Sequence, residues 1–550
     1  MIAALQRAHD AWGEFAGALP ARKVIWGLAC MFCLWVLLDV FVLQLTGGVS
    51  RSTYDAMVRA RVVVAAPDPR LVIIDIDEPS LKRMATEFGR WPWPRDTLAT
   101  VLDYLEQQKP AAIVWDILFS DADRISPGGD AALDDAARRS SHSHFSVARL
   151  SDSTDGKSAI TSAVLPKLWA ESAGGEGKRQ TATVAVIPPA LPGIAASKLG
   201  YNNGYVDADG VLRRFRAFET LADRSSIQST PMSVLSAVHP QSYAQALHNL
   251  PLSGDKAGEL IAWRRHPTVY PRVSFVEVFE AADSGRPATS LPDFAGKIII
   301  IGSAAASLHD IHPTPLGAMH PGVDALATVI DNAINERRIH ELPRWMHAVL
   351  TMALCLGLAY WVQRKKIASL AAATLALPVA LLFVSYLTLN GSPVFVDLQL
   401  SAALALLFLA LLRYWNQLRR AYWCAPPAHL QDLGILVLTR NQSWLEVPLD
   451  RLIDAVERHV PGCRIIAPDL QPGVFQTLRW PELGRYAALV GPVQVLQNQH
   501  QTIARALKRI AVVDASVHSL QEVRNRGQLA MEARRHWSVL ENSEYRGKNT

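Results

Sequence analysis

The sequence predicts a multi-domain membrane protein. It would have a mixed α/β domain outside the membrane, four transmembrane α-helices, and a small α/β domain with a helical tail in the cytoplasm. Three observations predict this. Four long apolar runs interrupt the sequence, one near its start and three close together after residue 345. The stretch between them alternates short apolar strands with helical patterns. Basic residues flank the apolar runs at alternate ends only. The composition agrees: half of the 550 residues are hydrophobic and the mean hydropathy is +0.11, as for a few spans set among soluble domains. A net charge of +5 implies no nucleic-acid partner.

The first span is read at 24–45. At about 1.5 Å per residue it crosses a hydrocarbon core of about 30 Å. It is too long for the core of a cleaved signal, so it reads as an anchor. Its one acid, Asp39, is costly at depth and is a functional candidate on that ground; its structural alternative is pairing with a neighbouring helix. Further spans are read at 346–362, 367–389 and 398–412, with Pro378 tolerated as a kink. Arg22 and Lys23 precede the first span, Arg364 to Lys366 lie between the second and third, and Arg413, Arg419 and Arg420 follow the fourth. The loop between the third and fourth has no basic residue. The positive-inside rule then puts residues 1–23 and 413–550 in the cytoplasm and 46–345 outside. The five cysteines form no zinc pattern, and Cys30 and Cys33 read as small residues of an apolar helix.

The outer domain opens on a helical pattern at 52–66. Strands follow at 71–76 and 112–117, joined by a helix over 96–107. Residues 121–156 read mostly as loop, with a short helix at 130–138. A strand is expected at 181–187. Asp209–Gly210 marks a hairpin turn between 204–207 and 212–216. A helix at 274–282 and the strand 297–301 come next, then a long loop and a helix starting near Pro321.

The strand LVIID ends in Asp75-x-Asp77, and Asp116 ends its neighbour. Phosphatases of the haloacid-dehalogenase kind begin in a similar way, but Pro79 stands where their pattern needs Thr or Val, and their later acids and lysine are absent in order. The acids have two other readings. They cap helices and bond backbone or Arg95, or they line a ligand or cation pocket at the carboxyl ends of the strands. Lys297 precedes its strand, so GKIIIIGS is no phosphate loop. Ser303, His309, Asp310 and His312 suggest a triad or metal site, with surface loop polarity as the alternative. Trp91 and Trp93, among prolines, read as a packing clamp. The candidate ligand-binding set is Asp75, Asp77, Arg95, Asp116, Ser303, His309 and Asp310. No catalytic residue, metal site or cofactor is assigned.

Across 51–340 the chain resembles the second class of CHASE domain, a sensory extracellular domain associated with cyclases and histidine kinases. The matching stretches are Tyr54–Asp55, VIIDIDEPSL, GRWPWPRD, VWDILFS, VDADGVLRR, GKIIIIGSAAASLHD, TPLG and PGVDALA. The layout of one span, a domain, then three spans is similar too. The resemblance implies a receptor in a bacterial inner membrane whose ligand is not known.

Beyond 413 the usual outputs of such receptors are absent. There is no Gly-Gly-acidic-acidic-Phe loop, no cyclase-like metal pair of acids, and no phosphoacceptor His with an ATP lid. A small α/β unit is expected at 430–492 and helices over 494–542. The reading favoured is a relay to a separate cytoplasmic signalling protein. An unrecognised enzyme, nucleotide-binding around Leu438, Asn441 and Gly491, is the alternative, and a membrane-permeabilising effector is the weaker one. A homodimer suits transmission across a bilayer, though no residue specifies it.

Overall fold

A computed structural model describes residues 12–161, 183–220, 226–248, 258–266, 268–285, 291–364, 370–424, 433–439, 449–460, 462–466, 486–498 and 516–519. The chain divides into two compact units. One comprises Leu45–Pro343 with Phe383–Asp397, and the other the remainder.

In the large domain, helix α1 (Gly47–Arg59) precedes strand β1 (Leu71–Asp75), α2 (Glu78–Phe88), α3 (Arg95–Gln107), β2 (Ala112–Trp115), α4 (Gly129–Arg139) and β3 (Ser143–Arg149). Then come β4 (Leu199–Tyr201), β5 (Leu212–Phe215), α5 (Thr230–Val238), β6 (Arg272–Ser274), α6 (Phe275–Ser284), β7 (Ile298–Gly302) and α7 (Gly322–Ile334). Six strands form a parallel sheet in the order β6–β1–β7–β2–β3–β4, and Val186–Ile187 adds an antiparallel pairing to β3. Strand β5 belongs to a separate three-stranded sheet.

Both faces of the parallel sheet are covered, which explains why β1 and β7 are apolar throughout rather than alternating. Val72, Ile74, Ile113, Trp115, Ile299 and Ile301 face one core cluster, with residues of α3, α4 and α6. Leu71, Ile73, Ala112, Val114, Ile298 and Ile300 face the other, with residues of α5 and α7. The period of two along each strand assigns each side chain to its layer.

Two buried ion hubs tie the layers to the flanking segments. Asp331 of α7 is fully buried; it accepts from Arg264, from Tyr270 Oη at 2.9 Å and from the backbone of Asp68 at 3.2 Å. Arg213 of β5, 2 % exposed, reaches Asp55 of α1 at 2.7 Å, Asp207 at 2.9 Å and Asp209 at 2.8 Å.

The structure corrects several sequence expectations. The region 121–156 is not mainly loop: it contains β3, a fully integrated strand. Its polar Ser143, His144, Ser146 and Arg149 hide it from an apolar-run reading, yet all four are buried. Ser146 Oγ donates to the Trp115 carbonyl at 2.8 Å, and His144 Nδ1 meets Ser233 Oγ at 2.7 Å. The strand expected at 181–187 is limited to Val186–Ile187 among the described residues. The helix expected at 52–66 lies earlier, as α1. The loop expected before α7 holds a hairpin, Ile311–Thr314 with Gly317–Pro321. The hairpin at Asp209–Gly210 is present, with Gly210 at φ 77°.

In the second unit, Ala21–Leu43, Arg344–Gln363, Ala372–Gly391 and Gln399–Trp423 are long and apolar enough to cross a membrane. The first three lie within a few residues of expectation, whereas the fourth continues well past residue 412. Asp39, 2 % exposed, opens a π-helical turn over Asp39–Leu43 and is not without partners. The division between the units falls within the helix Leu370–Gly391.

The C-terminal part forms an antiparallel sheet in the order Arg464–Ile466, Tyr486–Pro492, Leu433–Thr439, Ser516–Ser519. The last of these strands corrects the helical reading of 494–542, most of which lies outside the described residues. Helix Leu449–His459 is joined to the long final helix by Arg419. That guanidinium is 1 % exposed, reaches Asp454 at 2.6 Å and also bonds Glu457.

Candidate functional site

Parallel sheets leave a crevice at the carboxyl ends of their strands, because helices cover the faces and the returning connections diverge. Here a cavity of about 640 Å³ opens at that edge. Ile76 after β1, Asp116 after β2, Ser146 and Val147 in β3, Asn202 after β4 and Ser303 after β7 reach it. Leu212, Arg214 and Phe215 of β5 form one wall, and Ala325, Leu326 and Val329 of α7 another. The volume falls within the range of small-molecule sites.

Its charged centre is built from three loops. Asp116 is half-buried and lines the cavity. Asn202 Nδ2 donates to its Oδ1. Burial first, then the charge of Asp310, pushes its carboxyl up to about 7, against smaller opposing effects of His312 and Asn202. Asp310 lies 3.4 Å from His312 Nε2, and both side chains are 42 % exposed. The hydrogen bond that His312 donates to Asp310 leads in raising the His312 pKa, opposed by partial burial. Asp310 is seated at the start of α7, where a Cβ on Gly322 would overlap its carboxylate. A glycine at the first helical residue thus makes room for the acid at the positive end of the helix dipole. Arg214 carries a charge into the wall, but Asp207 at 3.0 Å and Glu341 engage it.

The structure brings Asp116, Ser303 and Asp310 together at the cavity and places the other expected residues elsewhere. Asp75 pairs with Arg272 at 2.8 Å and accepts from the backbone N–H of Ala304 at 2.8 Å. Asp77 caps α2, accepting from Ser80 N at 2.8 Å and Ser274 Oγ at 2.9 Å. Arg95 bonds Asp130 and the Asp121 carbonyl, so its partners lie in the 121–130 loop and not among the strand-end acids. His309, exposed and at φ 57°, turns to the Ser307 carbonyl at 3.1 Å. Trp91 lines the cavity and stands edge-on to Trp93 at 4.9 Å, while Trp93 stacks on Phe275 at 5.3 Å. Among the described residues no group of three or more His, Cys, Asp or Glu is arranged to hold a metal ion.

Asn202 and the strand β4 before it were missed from sequence. The signal available was the polar pair Asn202–Asn203 directly after LGY, which marks a strand ending at a polar edge. The Tyr54–Asp55 and VDADGVLRR stretches looked independent in sequence, yet Arg213 joins them.

No curated protein and no solved structure matches this chain. The family model of the CHASE2 domain, an extracellular sensor domain of signalling proteins, matches residues 28–361. That is more than half of the chain, and the protein belongs to the CHASE2 family.

Proposed function

We propose that this protein is a receptor of the bacterial inner membrane. It binds a small ligand in the strand-end cavity outside the cell and relays occupancy to a cytoplasmic signalling protein through residues 413–550. The observation that carries the reading is the dual role of β5. Leu212, Arg214 and Phe215 line the cavity. The intervening Arg213 grips Asp55 of α1, the helix that follows the first span. Arg214 holds Glu341, just before the second span. A ligand that favours one position of β5 therefore acts directly on both segments that enter the membrane. The physical requirement is a different ligand affinity in the two positions. Basic residues at 22–23 and 413–420 support the orientation. At the other end, Arg419 fixes Leu449–His459 to the last helix, so a movement of that helix carries the terminal domain with it.

The orientation is tested in a cysteine-free background with an impermeant maleimide. Glu87→Cys, on the exposed face of α2, is expected to label in spheroplasts, and His459→Cys only after lysis. The reverse pattern would overturn the proposal.

A further inference from the structure

We infer that the cavity recognises a small organic cation, an ammonium group carried on an apolar or aromatic body. This rests on the reading of the cavity as the ligand site and deepens it. Several charges near the cavity are already paired. Asp75 and Asp324 share Arg272, and Arg214 is held by Asp207 and Glu341. Asp116 and Asp310 face the space with His312, 3.4 Å from Asp310, which offsets one of the two acids and leaves the other without a charged partner in the cavity. A half-buried carboxylate whose side-chain hydrogen-bond partner is a neutral amide favours a cation beside it. An anion entering the same space would meet two acids.

The walls narrow the class further. Trp91, Tyr201 and Phe215 line the cavity, and aromatic rings attract ammonium groups. Leu212, Leu326 and Val329 offer apolar surface for the rest of the molecule. A bare metal ion fits poorly. Roughly 640 Å³ is far more space than an ion needs, and a hard cation requires six or more oxygen ligands at about 2.0–2.6 Å. A body of several carbons fills the space and leaves its charged end for Asp116 and Asp310.

The experiment is calorimetric titration of the full chain in nanodiscs with matched probes: 2-phenylethylamine and benzyltrimethylammonium as cations, 2-phenylethanol as neutral, phenylacetate as anion. The cations are expected to bind at least tenfold more tightly than the alcohol, and phenylacetate more weakly still. Asp116→Asn and Asp310→Asn, near-isosteric changes, should each weaken the cations tenfold or more and leave the alcohol unchanged. Leu308→Trp, which fills part of the cavity, should weaken every probe that binds. Equal or tighter binding of the alcohol or phenylacetate, abolished by Leu308→Trp, would overturn the cation inference and leave the cavity reading standing. Cation binding indifferent to Leu308→Trp would overturn the cavity reading itself. Absence of binding by both cations up to millimolar concentration would overturn the inference.

Discussion

Asp116 shows how a single side chain sets the chemistry of a site. Its ordinary acidity is about 3.9 in an unfolded chain, while burial and Asp310 push it to about 7 in the fold. The folded state therefore holds this proton to higher pH, and its contribution lowers stability as pH rises from about 4 to about 7. Two buried histidines act in the opposite sense. Burial lowers His144 and His320 to about 4. Each resists protonation when folded, so each costs stability as pH falls from about 6.5 towards 4. The slopes partly cancel in the native protein. Asp116→Asn should remove one of them. Thermal unfolding of the full chain should then show a higher Tm at pH 7.5, worth about 1–2 kcal/mol once the solvent admitted by the cavity is allowed for. At pH 5 the change should be small. An equal change at both pH values would show that Asp116 ionises normally. Most of this was not legible in sequence. The three acids at strand ends look alike there, and only the fold shows that Asp75 has Arg272 while Asp116 has a neutral amide.

At the scale of elements, legibility followed the physics that forms each one. The apolar strands β1, β2 and β7, and helix α7 after Pro321, were readable because burial on both sheet faces demands continuous apolar runs. Strand β3 was not, because it buries polar side chains, some of which find partners distant in sequence, such as Ser233 for His144 Nδ1. The Ser516–Ser519 strand pairs with Leu433–Thr439, some eighty residues away, which no local pattern reveals. The close approach of β7 to its neighbours is equally hidden. At Gly302 a Cβ would meet Val323 Cγ2 at 2.9 Å and Asp116 Cβ at 3.0 Å. Gly302→Ala should therefore move α7 against the cavity, cost about 1–3 kcal/mol, and weaken any ligand of the cavity. Denaturant unfolding and the same titration check it; wild-type stability and affinity would show that β7 and α7 have slack.

At the scale of the whole molecule, the proposed receptor would sense in the strand-end cavity and act through the C-terminal domain, with β5 and the helix Gln399–Trp423 as the joints. Each joint is built on a buried arginine: Arg213 holding Asp55, and Arg419 holding Asp454 and Glu457. Removing either arginine leaves its acids without their common partner; because those acids are partly exposed the cost falls below the roughly 3–5 kcal/mol of a fully enclosed pair, and the joint should loosen. The four long apolar helices, one before the large domain and three after it, were legible because such segments carry their own signal in length and hydropathy. The joints were not, since they couple residues scattered along the chain. The most direct test is hydrogen exchange of Leu449–His459 in the full chain in nanodiscs, comparing wild type with the cavity-filling Leu308→Trp. The account predicts a change in protection of that helix, lost when Arg213→Gln is added. Unaltered exchange in Leu308→Trp, with the large domain folded, would contradict it.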